Sequence, residues 1–185
     1  MSQANMTQTA DIAYQMEEWR NKTLADLIRY IVAKHHTYLR EELPAIESLF
    51  TGPPKNPSAS QRDGLIRIFR QFRREMEEHM KKEEAILFPM IERLENAICS
   101  GQEAPRLPFG SIGHPIAVME EEHERARKEL AEIRTFTGDY TRVTPGAGEQ
   151  TSALNRLKAL DDDMEIHSRL EDEILFPRAI GLERV

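Results

Sequence analysis

The feature that most constrains the fold is a segment that occurs twice, 88 residues apart. The first copy, residues 79–89, reads HMKKEEAILFP, and the second, residues 167–177, reads HSRLEDEILFP. Both copies place a glutamate four residues after a histidine. On an α-helix these positions share one face, so an imidazole and a carboxylate can reach the same metal ion. Because burying both groups unpaired costs several kcal/mol, metal ligation explains the pattern better than packing alone.

The repeat extends to a histidine that precedes each copy. His36 and His123 lie 87 residues apart, and the spacing to the next motif is 43 residues from His36 to His79 and 44 from His123 to His167. Each half is therefore predicted to be a helical hairpin. Its first helix carries one histidine and its second carries the His-x-x-x-Glu pair.

Hydrophobic spacing predicts four long helices. The composition, with 31% charged and only 6% aromatic residues, also favours helix over strand. The predicted helices cover about 24–49, 61–99, 114–136 and 149–177, with Pro- and Gly-rich breaks at 51–60, 100–113 and 137–148. We expect one all-α domain over residues 21–181, an antiparallel up-down four-helix bundle with pseudo-two-fold internal duplication, after a short N-terminal extension over residues 1–20.

Two prolines fall inside these helical patterns. Pro44 is expected to kink the first helix or to end its regular part, and Pro89 is expected to bend the second. The fourth helix is expected to end near Pro177.

The duplication points four imidazoles and two carboxylates at one centre. The candidate ligands are His36, His79, Glu83, His123, His167 and Glu171. Imidazole and carboxylate without thiolate suit iron, manganese or zinc, but six ligands exceed what one tetrahedral zinc uses. Two irons that share Glu83 and Glu171, each with two terminal histidines, are the most economical arrangement. Such a pair leaves coordination positions open for an exogenous ligand.

Neighbouring polar residues have weaker expected roles. Glu75 and Glu122 are candidates to orient ligands or to line an access route to the centre. His35 lies about 100° around a regular helix from His36, so it is expected to be exposed or to contact a ligand from outside. His114 is expected to lie at a helix start.

Composition excludes several classes of partner. The net charge of −7 argues against nucleic acid. A single cysteine, Cys99, excludes an internal disulfide and fits a reducing compartment. The first ten residues lack the apolar stretch of a signal peptide, and no run approaches the roughly 20 apolar residues of a membrane span. We therefore expect a cytoplasmic protein with neither a nucleic-acid nor a membrane partner.

Together the motifs resemble those of hemerythrin-like proteins. They are more closely similar to those of the repair of iron centres family, di-iron proteins linked to nitrosative and oxidative stress. The resemblance covers about residues 19–181. It rests on Trp19-Arg20, the segment from His36 to Pro44, HMKKEEAILFPMI, GHPIAVMEEEH ending at His123, and HSRLEDE followed by LFPRA.

The resemblance implies a non-haem di-iron centre with carboxylate and oxo bridges. In it the four histidines would be terminal ligands, and Glu83 and Glu171 would bridge. It further implies binding of nitric oxide or reaction with dioxygen, and a role in restoring damaged iron–sulfur clusters by iron donation or in reducing nitric oxide. Damaged iron–sulfur proteins would then be partners. Catalytic turnover and the oligomeric state stay open.

Three departures from related patterns matter. Full-length members of the family carry a small N-terminal domain with paired cysteines, where this chain has a short polar extension, so a thiol-dependent role would need a partner. Oxygen-carrying hemerythrins use five histidines, whereas Arg127 stands four residues after His123 here, which disfavours reversible oxygen transport. Ferritin-like proteins use paired Glu-x-x-His motifs, and only Glu120 with His123 fits that spacing.

Two other classes of function compete with the leading one. The first is a non-catalytic oxygen- or redox-sensing module, in which a bound ligand shifts a helix that a partner contacts. The second is a structural bundle with adventitious metal, whose thermal stability would not change on chelation.

Overall fold

The computed structural model describes residues 16–50, 59–141 and 148–183, and these residues form helices and no strand. We label the four long helices α1 to α4. They comprise α1 (Leu24–Ile31, Val32–His36 and Thr37–Phe50), α2 (Ala59–Lys82, Glu83–Leu87 and Phe88–Cys99), α3 (Gly113–Thr137) and α4 (Gly148–Leu170, Glu171–Leu175 and Phe176–Leu182). A short helix over residues 16–20 precedes α1.

The long helices form an antiparallel bundle. The start of α1 packs on the end of α2, and the end of α1 packs on the start of α2. Helix α3 packs on α2 and α4, and α1 packs on α4 as well. The predicted all-α helical bundle is thus confirmed. No helix in the described ranges is long and apolar enough to cross a membrane.

The predicted element bounds hold to within a few residues, with one exception. Helix α4 continues past Pro177 to Leu182, so the predicted end near Pro177 is wrong. The predicted breaks at 51–60 and 137–148 fall partly on residues 51–58 and 142–147, which lie outside the described residues. Of the predicted N-terminal extension, residues 1–15 also lie outside, while Met16 and Trp19 pack into the core.

Three of the long helices contain a five-residue π-turn, at Val32–His36, Glu83–Leu87 and Glu171–Leu175. The last two directly precede a Phe-Pro pair. A proline lacks an N–H and its ring clashes with the carbonyl four residues before it. We attribute the continuation of the helix through both prolines to the wider turn. Pro44 lies within the α-helical segment Thr37–Phe50, so the helix does not end there.

The π-turn of α1 explains a one-residue irregularity in the duplication. Buried residues in the first part of α1 have buried counterparts 88 residues later in α3, and the last such pair is Ile31 and Met119. From His36 and His123 onward, the counterparts lie 87 residues apart. The change falls on Val32–His36, whereas α3 is α-helical throughout. A π-turn closes over one more residue than an α-turn. It therefore absorbs the extra residue and keeps both histidines facing the centre.

Matched carboxylates anchor the two hairpins at their starts. Glu95 of α2 accepts hydrogen bonds from the N–H groups of Leu24 (2.6 Å) and Ala25 (2.9 Å). Glu183, 88 residues later, accepts from the N–H of Ile112 (3.0 Å). Both satisfy N–H groups that the first turn of a helix leaves without a partner. The duplication therefore extends to the ends of the helices.

The apolar core consists of two clusters. One cluster takes in the start of α1 and the end of α2, including Leu27 and Ile91, and the other takes in the end of α1 and the start of α2, including Leu43 and Phe72. Along each helix, the histidines and glutamates of the duplicated motif lie where one cluster gives way to the other. A polar layer is thus enclosed between two apolar ends.

Candidate metal centre

The six candidate ligands meet in the centre of the bundle, and each is at most 1% exposed. They form two overlapping groups whose nitrogen and oxygen atoms lie within 4.8 Å of one another. His36 and His167 join Glu83 and Glu171 in one group, which we call the His36 position. His79 and His123 join the same two glutamates in the other, the His79 position.

Both carboxylates present one oxygen to each position. Glu83 places Oε2 3.3 Å from His36 Nε2 and Oε1 3.3 Å from His79 Nε2. Glu171 places Oε1 3.2 Å from His167 Nε2 and Oε2 3.1 Å from His123 Nε2. This is the arrangement that two bridging carboxylates require.

The polar atoms of the centre are poorly satisfied by one another. The Nε2 atoms of His36 and His167 are 3.2 Å apart, and those of His79 and His123 are 3.1 Å apart. Both oxygens of Glu83 are buried without a hydrogen bond of acceptable direction. Buried charges without partners are costly. Converging imidazole nitrogens and unsatisfied carboxylate oxygens are donors that metal cations bind once the imidazoles lose their protons, so the donor set suits the predicted pair of cations.

Two of the imidazoles are held by matching triads. His36 Nδ1 donates to Glu84 (2.6 Å), which also pairs with Arg40. His123 Nδ1 donates to Asp172 (2.8 Å), whose other oxygen is 3.1 Å from Arg127. These outer carboxylates directly follow Glu83 and Glu171 in sequence. They orient each ring so that its Nε2 faces the centre.

The other two imidazoles differ from each other. His79 Nδ1 donates to Glu122 (3.0 Å), which also pairs with Lys82. His167 Nδ1 is buried and has no hydrogen-bond partner among the described residues. The ring of His35 stacks on His167 instead, with centroids 5.4 Å apart and planes at 7°.

His35 is buried and its ring stacks on the candidate ligand His167, so of its two expected placements the contact with a ligand holds and the exposed one does not. Its Nδ1 lies 3.0 Å from Asp163 Oδ1. A regular helix would turn this residue away from His36, but both lie in the π-turn of α1. His114, at the start of α3, is exposed and lies 2.9 Å through Nδ1 from the carbonyl of Phe109.

The phenylalanine of each repeated motif packs against a histidine. Phe88 stacks on His36 (5.8 Å between centroids, 19°), and Phe176 stacks on His123 (6.0 Å, 10°). Both phenylalanines are at most 2% exposed. The apolar part of the motif therefore restricts the imidazole rings that the polar part supplies.

Electrostatics shift the pKa values of the central groups. Burial opposes the charged form, but the carboxylate neighbours of His79 and His123 raise their pKa to about 9 and about 10. For His167 burial prevails and lowers the pKa. Burial would raise the pKa of Glu83 and Glu171, yet the surrounding imidazoles hold it below the ordinary value. The carboxylates are thus ionised and ready to bind a cation.

A cavity of ≈ 260 Å³ lies between α2 and α3, and its wall includes Glu75, Glu122 and Glu129. Glu122 connects this wall to His79, while Glu75 accepts a hydrogen bond from Gln71 (3.1 Å). Burial, reinforced by the charge of Glu75, raises the pKa of Glu129 to about 7. The cavity wall therefore carries both signs of charge, since Arg74, Lys82 and Arg125 also line it, and it reaches the outer side of one candidate ligand.

The fold and this centre define a class of protein. Residues 27–179 match the hemerythrin HHE cation binding domain, and the chain belongs to that family. Membership implies iron binding, for which the buried histidine and glutamate groups provide the donors.

Named relatives make the comparison more specific. The chain is 34% identical over 174 residues to the iron-sulfur cluster repair protein YtfE of Edwardsiella ictaluri, covering 90% of this chain and 71% of that protein. It is 32% identical over the same length to the protein of that name from an Escherichia coli strain, with the same coverage of both chains.

Proposed function

We propose that this protein is a non-haem di-iron protein that binds nitric oxide or dioxygen and serves in the repair of iron centres under nitrosative or oxidative stress. His36 and His167 would be the terminal ligands of one iron and His79 and His123 those of the other, with Glu83 and Glu171 bridging. Two bound irons would supply redox chemistry and open coordination positions for a diatomic ligand.

One observation carries the proposal. Each of the two central carboxylates directs one oxygen to each pair of imidazoles, at 3.1–3.3 Å. A single cation would use only one of the two imidazole pairs, so the second pair would have no role in binding it. The name of the relatives, iron-sulfur cluster repair protein, supports the biological role.

The surrounding residues would hold this centre in a dry and oriented state. The two apolar clusters exclude water from both sides of the polar layer along the bundle axis. Glu84, Asp172 and Glu122 accept the outer N–H groups of three imidazoles, which keeps each Nε2 available for a cation. Arg40 and Arg127 balance the charge of the outer carboxylates.

We also propose that the cavity between α2 and α3 is an access route to the centre. Glu75 and Glu122 lie in its wall, and Glu122 contacts a candidate ligand directly. The glutamates of the wall would attract a cation that approaches the centre, and Lys82 and Arg125 pair with Glu122 there.

The test is anaerobic loading with ferrous iron, followed by metal analysis and Mössbauer spectroscopy before and after nitric oxide. We expect two irons per chain and a changed iron spectrum at up to one nitric oxide per iron. A chain that binds two irons but leaves the spectrum unchanged with nitric oxide would contradict the gas-binding part of the proposal. Repeated consumption of nitric oxide with a reductant would favour a catalytic role over a sensing one.

A further inference from the structure

The two positions of the centre differ in their imidazoles. Both share Glu83 and Glu171, so the carboxylates do not distinguish them. At the His79 position both outer N–H groups are accepted by carboxylates, at 3.0 Å for His79 and 2.8 Å for His123. At the His36 position only one is accepted, because the buried Nδ1 of His167 has no partner in the described part of the chain.

His35 is the cause of this difference. It directly precedes His36, as Glu122 directly precedes His123. Each contacts the histidine in the second helix of the other hairpin, His35 contacting His167 and Glu122 contacting His79. Glu122 gives that histidine a carboxylate oxygen. His35 gives His167 only a ring face, because the two ring planes are nearly parallel at 7°. The Nδ1 of His35 lies 3.0 Å from Asp163, and its buried Nε2 has no partner among the described residues.

An acceptor on the outer N–H makes an imidazole a stronger donor to a cation. Losing such a partner typically lowers metal affinity by about 10–100-fold. The His79 position has two strengthened imidazoles and the His36 position has one. The rest of the two donor sets is shared.

We infer that the His36 position is the labile one, which releases its cation first, and that His35 is the positioning residue that makes it so. The inference rests on the proposed function and deepens it, since it assigns which cation is available for transfer. The cation at the His79 position stays bound while the other leaves.

The experiment measures iron release from the full chain. Protein loaded anaerobically with two equivalents of ferrous iron is mixed with excess ferrous chelator, and the chelate absorbance is followed. We expect two phases of one equivalent each, with rates that differ by about tenfold or more. A single phase that releases both equivalents would overturn the inference, although two bound equivalents would still agree with the proposed function.

Ligand variants assign the phases. His36→Leu should bind one equivalent and release it slowly, and His79→Leu should bind one and release it rapidly. The reverse assignment would overturn the inference. Fewer than two equivalents in the unmodified chain would contradict the proposed function itself, and the inference with it.

Outer-residue variants test the cause and use each hairpin as the control of the other. In His35→Gln the amide oxygen can accept from His167 and the amide N–H can donate to Asp163, so the fast phase should slow by about tenfold. Glu122→Leu removes the acceptor of His79 and should speed the slow phase by a similar factor. Glu122→Gln keeps an acceptor oxygen, so the rate of the slow phase should stay that of the unmodified chain. If the rate of the fast phase is unchanged in His35→Gln, His35 is not the residue that makes the His36 position labile.

Discussion

At the scale of single residues, protons compete with cations for the centre. The pKa of His79 is raised to about 9 and that of His123 to about 10, so both imidazoles are charged in the metal-free protein at neutral pH. A cation binds only the deprotonated form of a histidine. Metal affinity is therefore coupled to pH through these two groups.

We predict that metal binding at pH 7 releases at least two protons per chain, because the pKa of His36 is raised as well as those of His79 and His123. Because the pKa values of His79 and His123 lie above 7, affinity should rise as the pH increases from 7 toward 9 and level off above about 10. Calorimetric titration in buffers of different ionisation enthalpy measures the proton count. Binding without proton release would contradict the assignment of these imidazoles as ligands.

The sequence alone made some of these residues predictable and left others hidden. The candidate ligands could be selected because their spacing recurs in both halves. The outer acids Glu84 and Asp172 were not selected, although an acidic residue follows the central glutamate in both copies. For His35 the sequence left open whether it is exposed or contacts a ligand, because regular helical geometry places it on another face than His36 and the π-turn that buries it leaves no local signal.

At the scale of elements, periodicity predicted the helices but not the π-turns. Prolines at 89 and 177 locally indicate a bend or an end, whereas the tertiary packing of Phe88 and Phe176 favours a continued helix. The visible sign of the turn in α1 was the change of the repeat from 88 to 87 residues. From one sequence, the position in α1 at which the helix accommodates the extra residue could not be predicted.

The π-turn in α1 leads to a prediction about deletions. Removing the exposed Ala33 would give α1 the same spacing as α3, so the chain should still bind two equivalents of iron and unfold within about 3 °C of the unmodified protein. The measurements are metal analysis and thermal denaturation by circular dichroism.

The matched control removes Ala117, which is also exposed but lies in the regular helix α3. There the deletion rotates Ile112 and Ile116 by about 100° relative to His123, and both isoleucines are buried. The unfolding midpoint should drop by roughly 10 °C. Equal damage from the two deletions would mean that the π-turn does not absorb the extra residue.

At the scale of the whole molecule, the duplication places a charged layer between two apolar clusters. The clusters keep the helices together on either side, so the fold does not depend on the central carboxylates for its packing. Replacing buried ionic groups by apolar ones of similar volume is often neutral or stabilising. When Glu83 and Glu171 are removed, the remaining imidazoles lose carboxylates that raise their pKa and can be buried in the neutral form, so we expect the bundle to keep its fold.

The central claim is that Glu83 and Glu171 bridge two cations. Its most direct test is the iron content of the Glu83→Leu, Glu171→Leu double variant after anaerobic loading and desalting, with helical circular dichroism recorded on the same sample. We predict two irons per chain for the unmodified protein and none for the double variant, with the helical signal unchanged. A folded double variant that keeps two irons would contradict the account.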